Sequence, residues 1–143
     1  MNIWIRNIKS DELKDAAEIF VESFNSVGEM WNLETALKRL EASFDPEYYF
    51  GAFIDGIMVA MLAAKLDYVT DHKELYIDIF AVSPTQQGKH IGKSFLDKIE
   101  TFAKEKGLST IWLQANTELP SYDFYIKNGF NDSHWVAIYK NLK

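Results

Sequence analysis

Apolar positions change their spacing several times along this chain, and each change marks an element. Residues 2–8 alternate in strand fashion, with Ile3 and Ile5 on one side. Ser10 then stands as an N-cap with Asp11 and Glu12 in the first turn, where acidic side chains favour a helix start. Leu13, Ala16, Ala17, Phe20 and Phe24 recur at three- and four-residue steps, which predicts a helix to about Phe24 with one buried face. After a loop over 25–31, Leu33, Ala36, Leu37 and Leu40 predict a second amphipathic helix over 33–43, stopped by Asp45-Pro46.

The period then falls to two. Runs over 48–54 and 57–66 flank Asp55-Gly56, a two-residue hairpin signal, and so predict an antiparallel pair. A polar link over 67–73 precedes a strand over 75–82, apolar on both faces except at Asp78, as suits a sheet centre. Pro84 ends it. Ile91, Phe95, Ile99, Phe102 and Ala103 form the stripe of a helix over 89–106, with Gly107 behind it and Lys104 and Lys106 in the last turn. A short strand over 109–115 completes a strand-helix-strand crossover, which sets the two strands parallel. A short helix over 121–127 and a final strand over 134–140 are expected beyond it. The pattern describes one α/β domain over residues 1–143, a length that suits a single core.

Composition removes whole classes of chemistry. With 48% hydrophobic, 15% aromatic and 25% charged residues the chain is globular. The absence of cysteine excludes disulfides, a thiolate nucleophile and cysteine-ligated metal, and three scattered histidines offer no zinc pattern, so no metal is expected. The first residues lack a signal pattern and the apolar run over 57–64 is too short to span a bilayer, which leads to the expectation of a cytoplasmic protein with no membrane partner. A net charge of −6 works against binding to nucleic acid; it suits a cationic ligand, or plain solubility.

The junction from Val82 to Lys93 carries the most chemistry. A strand meets a helix start there, and helix starts present free N–H groups and the positive end of the macrodipole to anions. Gly88 and Gly92 allow close backbone approach, Lys89 and Lys93 add charge, and Gln87 adds an amide donor, so pyrophosphate is the natural guest; an ordinary glycine-containing turn is the alternative. The spacing fits neither G-x-x-x-x-G-K-[ST] nor G-x-G-x-x-G, which sets nucleotide hydrolysis and hydride transfer aside.

The string Gln87-Gly88-Lys89-His90-Ile91-Gly92 after Val82-Ser83-Pro84 resembles the acetyl-CoA-binding motif of the GNAT acetyltransferases, Arg/Gln-x-x-Gly-x-Gly/Ala. His90 stands where the first family glycine usually sits. Tyr125-Ile126-Lys127-Asn128-Gly129-Phe130 matches the family's second hallmark, Tyr-x-x-x-Gly-Phe, at the usual separation. A weaker likeness over 28–36 is to an aminoglycoside-acetyltransferase-like subgroup.

The resemblance implies a mixed sheet of about six to seven strands flanked by about four helices. It implies acetyl transfer from acetyl-CoA to a primary amine of a small molecule, and makes a homodimer plausible. Alternatives are a peptide or protein acceptor, or a module that holds CoA with little turnover. It further implies that the strand ending in Phe80-Ala81-Val82 splays from its neighbour and offers main-chain groups to the pantetheine arm, that Gln87, Gly88, Lys89, His90, Ile91, Gly92 and Lys93 hold the pyrophosphate, and that Tyr125 protonates the departing thiolate. A phenol with a pKa of about 10 is protonated at neutral pH and can act so; packing beside Phe124 and Phe130 is its alternative role. Asp78 is a candidate base or a structural carboxylate, and Asn116, just past the strand over 109–115, is a candidate pantetheine contact, although many relatives instead place an asparagine where this chain has Glu118. His90 offers either its imidazole or only its backbone N–H. Glu29 and Trp31 are candidate acceptor contacts, the first by charge and the second by cation–π attraction.

Overall fold

Asp55 and Gly56 both take positive φ, 50° and 79°, the turn geometry that matches the twist of a hairpin. Around them the computed structural model, which describes residues 2–143, pairs β2 (Tyr49–Ile54) antiparallel with β3 (Ile57–Val69). β3 pairs antiparallel with β4 (His72–Val82), β1 (Trp4–Asn7) flanks β2, and β5 (Ile111–Leu113) lies parallel to β4, giving a five-stranded sheet in the order β1-β2-β3-β4-β5. The helices are α1 (Leu13–Asn25), α2 (Leu33–Ala42), α3 (Ile91–Glu105) and α4 (Pro120–Lys127).

Most expected elements form within a few residues, and three departures have physical reasons. Residues 67–73 do not form a loop: β3 and β4 continue to a tight turn at Thr70-Asp71, with Asp67 opposite Glu74, and Tyr68 opposite Lys73, whose ammonium lies 6.0 Å from the Tyr68 ring centre. Ser10 is not the cap of α1. Glu12 accepts the Lys9 N–H at 2.9 Å and both Arg6 guanidinium nitrogens at 2.9 and 2.8 Å, so a 3-10 turn over Ser10–Glu12 precedes the helix. The final strand over 134–140 is absent among the described residues, since nothing pairs with that segment, and five strands stand in place of six to seven.

The sheet separates two cores. On one face α1 and α2 bury Ala16, Phe20, Ala36 and Leu40 against Tyr49, Met61 and Ile79; on the other α3 buries Ile91, Phe95 and Ile99 against Phe50, Leu62 and Leu75. Each such large side chain contributes about 1.5–3 kcal/mol through removal from water. Register along β4 jumps from Ile77, opposite Ala64, to Ile79, opposite Ala63, leaving Asp78 as the extra residue of a bulge. The β5 pairing reaches only Ile77, opposite Leu113. Beyond that point β4 runs on to Val82 with its β5-side edge open, and this divergence positions the site.

Candidate functional site

β4 leads through a 3-10 turn at Pro84–Gln86 into α3. His90, the residue before α3, takes φ 61° and ψ 17°, a left-handed conformation that glycine adopts without strain, which accounts for glycine being usual at this place. No side chain caps the helix. Its first internal bond runs from Ser94 N–H to the His90 carbonyl at 3.1 Å, so the amides of Ile91, Gly92 and Lys93 point out of the helix start without partners inside it.

α4 lies across this end of α3. A Cβ at position 92 would sit 3.1 Å from Cζ of Phe124, so Gly92 lets the Phe124 ring approach the helix. After α4, Gly129 at φ 92° reverses the chain, Asn128 Nδ2 donates to the Phe124 carbonyl at 2.8 Å, and Phe130 N–H donates to the Tyr125 carbonyl at 3.0 Å. The turn returns the Phe130 ring to within 5.5 Å of Tyr125, which also meets Phe124 at 5.4 Å and Phe80 at 6.5 Å. Burial among these rings pushes the Tyr125 phenol above its ordinary value of 10 and keeps it protonated.

These elements enclose a cleft of about 550 Å³. Phe80 and Val82 of β4, Gln87, Gly88, His90, Ile91, Gly92 and Lys93 of the junction, Tyr125 of α4 and Glu29 of the α1–α2 loop all line it. A helix N-terminus without a cap, an open strand edge and a protonated phenol thus face one space. The first two suit a chain bearing a pyrophosphate and amide groups.

The chain matches the acetyltransferase (GNAT) family over residues 13–130. It belongs to that family. An uncharacterised N-acetyltransferase of Methanocaldococcus jannaschii is 22% identical over 96% of this chain and 66% of its own length. A ribosomal protein bS18-alanine N-acetyltransferase of Haemophilus influenzae is 41% identical over a shorter match, 43% of this chain and 40% of its own length. The chain therefore spans less than two thirds of the curated relatives it matches. Among solved structures, the aminoglycoside N-acetyltransferase AAC(6')-Iy in complex with CoA superposes with a TM-score of 0.77 at 16% identity, over 99% of this chain and 96% of that one, a likeness of fold.

Set in the GNAT fold, some candidate residues fall elsewhere than the cleft, and others line it with side chains already engaged. Ala81 is buried against the α1–α2 face, and only its main chain is available. Lys89 does not line the cleft; its ammonium lies 3.4 Å from the Gln86 side-chain oxygen. The Gln87 amide donates to the Val82 carbonyl at 3.2 Å and so closes the loop onto the strand. Lys93 is paired with Asp97 at 3.2 Å. Asn116 lines a groove beside β5 and accepts the Glu118 N–H at 2.9 Å.

Asp78 borders a smaller cavity of about 220 Å³ with Tyr49, where the Arg39 guanidinium grips both its oxygens at 2.8 and 3.3 Å. That geometry favours the structural reading of this carboxylate over the base. Trp31 does not line the cleft either: it packs on Phe20 at 4.6 Å and donates its indole N–H to Glu29 at 2.8 Å, steadying the carboxylate that does.

The cleft also takes in Ser23, Phe24, Val27, Gln86, Leu119, Pro120, Ser121, Phe124 and Asn128, none of them singled out from the sequence as site residues. Ser23 carries a signal in retrospect, as a polar residue on the buried side of α1.

Proposed function

We propose that this protein transfers acetyl from acetyl-CoA to a primary amine of a small, cationic molecule. Acetyl-CoA would bring the acetyl group activated as a thioester. In this reading the amides of Ile91, Gly92 and Lys93, together with Gly88 and His90, hold the pyrophosphate, and the open edge of β4 from Phe80 to Val82 pairs with the pantetheine arm. The reacting amine first loses a proton to solvent; its nitrogen then bonds to the thioester carbon as the C–S bond breaks, and Tyr125 gives its hydroxyl proton to the leaving sulfur and regains one from the new amide nitrogen by way of water. Glu29, held by Trp31, attracts the amine. The carrying observation is that an uncapped helix start and a phenol held protonated line the same cleft.

A homodimer belongs to this reading too, and so does action inside the cell, where acetyl-CoA is made. The aminoglycoside acetyltransferase supports a small amine as acceptor, and the bS18-alanine acetyltransferase keeps a protein N-terminus in play. Turnover of acetyl-CoA measured against panels of polyamines, aminoglycosides and N-terminal peptides tests the proposal. Multiply charged small amines are expected to lead, with kcat/KM falling as salt rises. A peptide leading the panel would move the acceptor to proteins, and acetyl-CoA binding without turnover of any amine would leave a CoA-holding module.

A further inference from the structure

The loop between α1 and α2 brings Glu29 to the cleft, and on an untethered loop that carboxylate would sweep a wide arc. Gly28, at φ 102°, turns the chain just before it. Two bonds limit the arc: the Glu29 N–H donates to the Phe24 carbonyl at 3.1 Å, and the carboxylate accepts the Trp31 indole N–H at 2.8 Å. The aim of Glu29 therefore depends on how firmly Trp31 is held.

Trp31 is held from three sides. The Asn25 side-chain oxygen accepts the Trp31 N–H at 2.8 Å and its Nδ2 donates to the Trp31 carbonyl at 2.9 Å, so one side chain at the end of α1 takes both main-chain polar groups, as strand pairing does. The indole packs on Phe20 at 4.6 Å. The Arg39 guanidinium carbon lies 5.7 Å from the centre of the Trp31 ring, within cation–π reach. Arg39 is fixed in turn, because Asp78 on the β4 bulge accepts hydrogen bonds from two of its nitrogens. A continuous series of contacts thus runs from the smaller cavity through Arg39 and Trp31 to the carboxylate at the cleft.

We propose that Asn25 and Arg39, neither of which lines the cleft, are positioning residues: through Trp31 they hold the Glu29 carboxylate toward the cleft and so set the preference for a cationic acceptor. The effect on acceptors rests on the acetyl-transfer reading, in which Glu29 attracts the amine. A carboxylate ordered in advance need not be immobilised when the amine arrives, a saving of about five- to tenfold in affinity. The sign of the effect at Arg39 is diagnostic. Simple Coulomb attraction says that removing a positive charge eases the approach of a cation, whereas loss of positioning hinders it.

Asn25→Ala and Arg39→Met test this by two readouts. Hydrogen exchange of the Trp31 indole N–H needs no ligand, and it is expected to quicken about tenfold in both variants while amides of α1 and α3 stay protected, which shows that each variant folds. In steady-state kinetics with spermidine, KM for spermidine is expected to rise about five- to tenfold, with kcat and KM for acetyl-CoA held within about twofold. Added to Glu29→Gln, neither substitution should raise the spermidine KM further, since both act through that carboxylate. Unchanged indole exchange, a lowered spermidine KM in Arg39→Met, or a rise of full size in the Glu29→Gln background would each overturn the proposal. An unaltered chain that turns over no spermidine would count against the acetyl-transfer reading for polyamines, and indole exchange would then decide the positioning by itself.

Discussion

Two cavities lie along β4, one at Asp78 and one beside Phe80 and Val82, and they treat their tyrosines in opposite ways. In the smaller one Arg39 holds Asp78 through two hydrogen bonds, and Tyr49, whose phenol is pushed up to about 12 chiefly by burial, donates to the Leu40 carbonyl at 3.0 Å. In the larger one Tyr125 is surrounded by rings, and the donors at the start of α3 have no cap. A group already bonded stabilises the fold; a group left free in an apolar setting is available for chemistry. Availability, more than residue type, separates the two cavities.

The largest effect that sharpens this contrast is expected at Tyr125. Tyr125→Phe should lower kcat by roughly 10²–10⁴-fold, as for loss of a general acid, with acetyl-CoA affinity preserved, measured by steady-state turnover and calorimetry. Because burial raises this phenol above 10, kcat should show no alkaline decline from it below pH 10. Unchanged turnover would return Tyr125 to a packing role. Asp78→Asn should change kcat less than about threefold and cost about 1 kcal/mol, the scale of a partly exposed ion pair, in a denaturant titration. A large kcat loss there would break the comparison by making Asp78 the base.

Smaller effects follow from the backbone. His90→Gly should stabilise the fold by about 1 kcal/mol, because glycine carries the left-handed conformation without strain, and acetyl-CoA binding should hold or tighten. Marked weakening would show that the imidazole itself meets the ligand. Away from both cavities, Glu12 is held at about 2 against an ordinary 4.5, first by its hydrogen bonds from Arg6. Its folded value is depressed, so its contribution is whole above pH 4.5 and is lost as pH falls from there toward 2. Glu12→Gln should therefore flatten the melting temperature between those limits and cost at most about 1 kcal/mol at neutral pH.

The contrast also explains which parts were legible in the sequence. The junction at 82–93 could be read because its form, the end of a strand and the start of a helix, is main-chain geometry, and glycine, proline and helical periodicity report that geometry directly. Tyr125-x-x-x-Gly129-Phe130 was legible for the same reason, since Gly129 makes the turn that lays Phe130 on Tyr125. The partner of Asp78 was not. Arg39 lies 39 positions earlier, on a helix whose spacing shows only its buried stripe, and a bulge that turns Asp78 toward it leaves no local pattern. Cleft residues of α1 and α4 stayed hidden likewise, because an apolar position lining a cleft has the periodicity of one lining a core. The segment over 134–140 has a strand's alternation, but alternation does not ensure a neighbouring strand, and among the described residues none pairs with it.

The most direct measurement is a titration of the isotopically labelled protein with acetyl-CoA, followed by amide resonances. The account predicts the largest shifts at Gly88, Ile91, Gly92 and Lys93, with further shifts along 80–82 and around Tyr125. Shifts centred on Arg39, Tyr49 and Asp78, or none at saturating ligand, would contradict it.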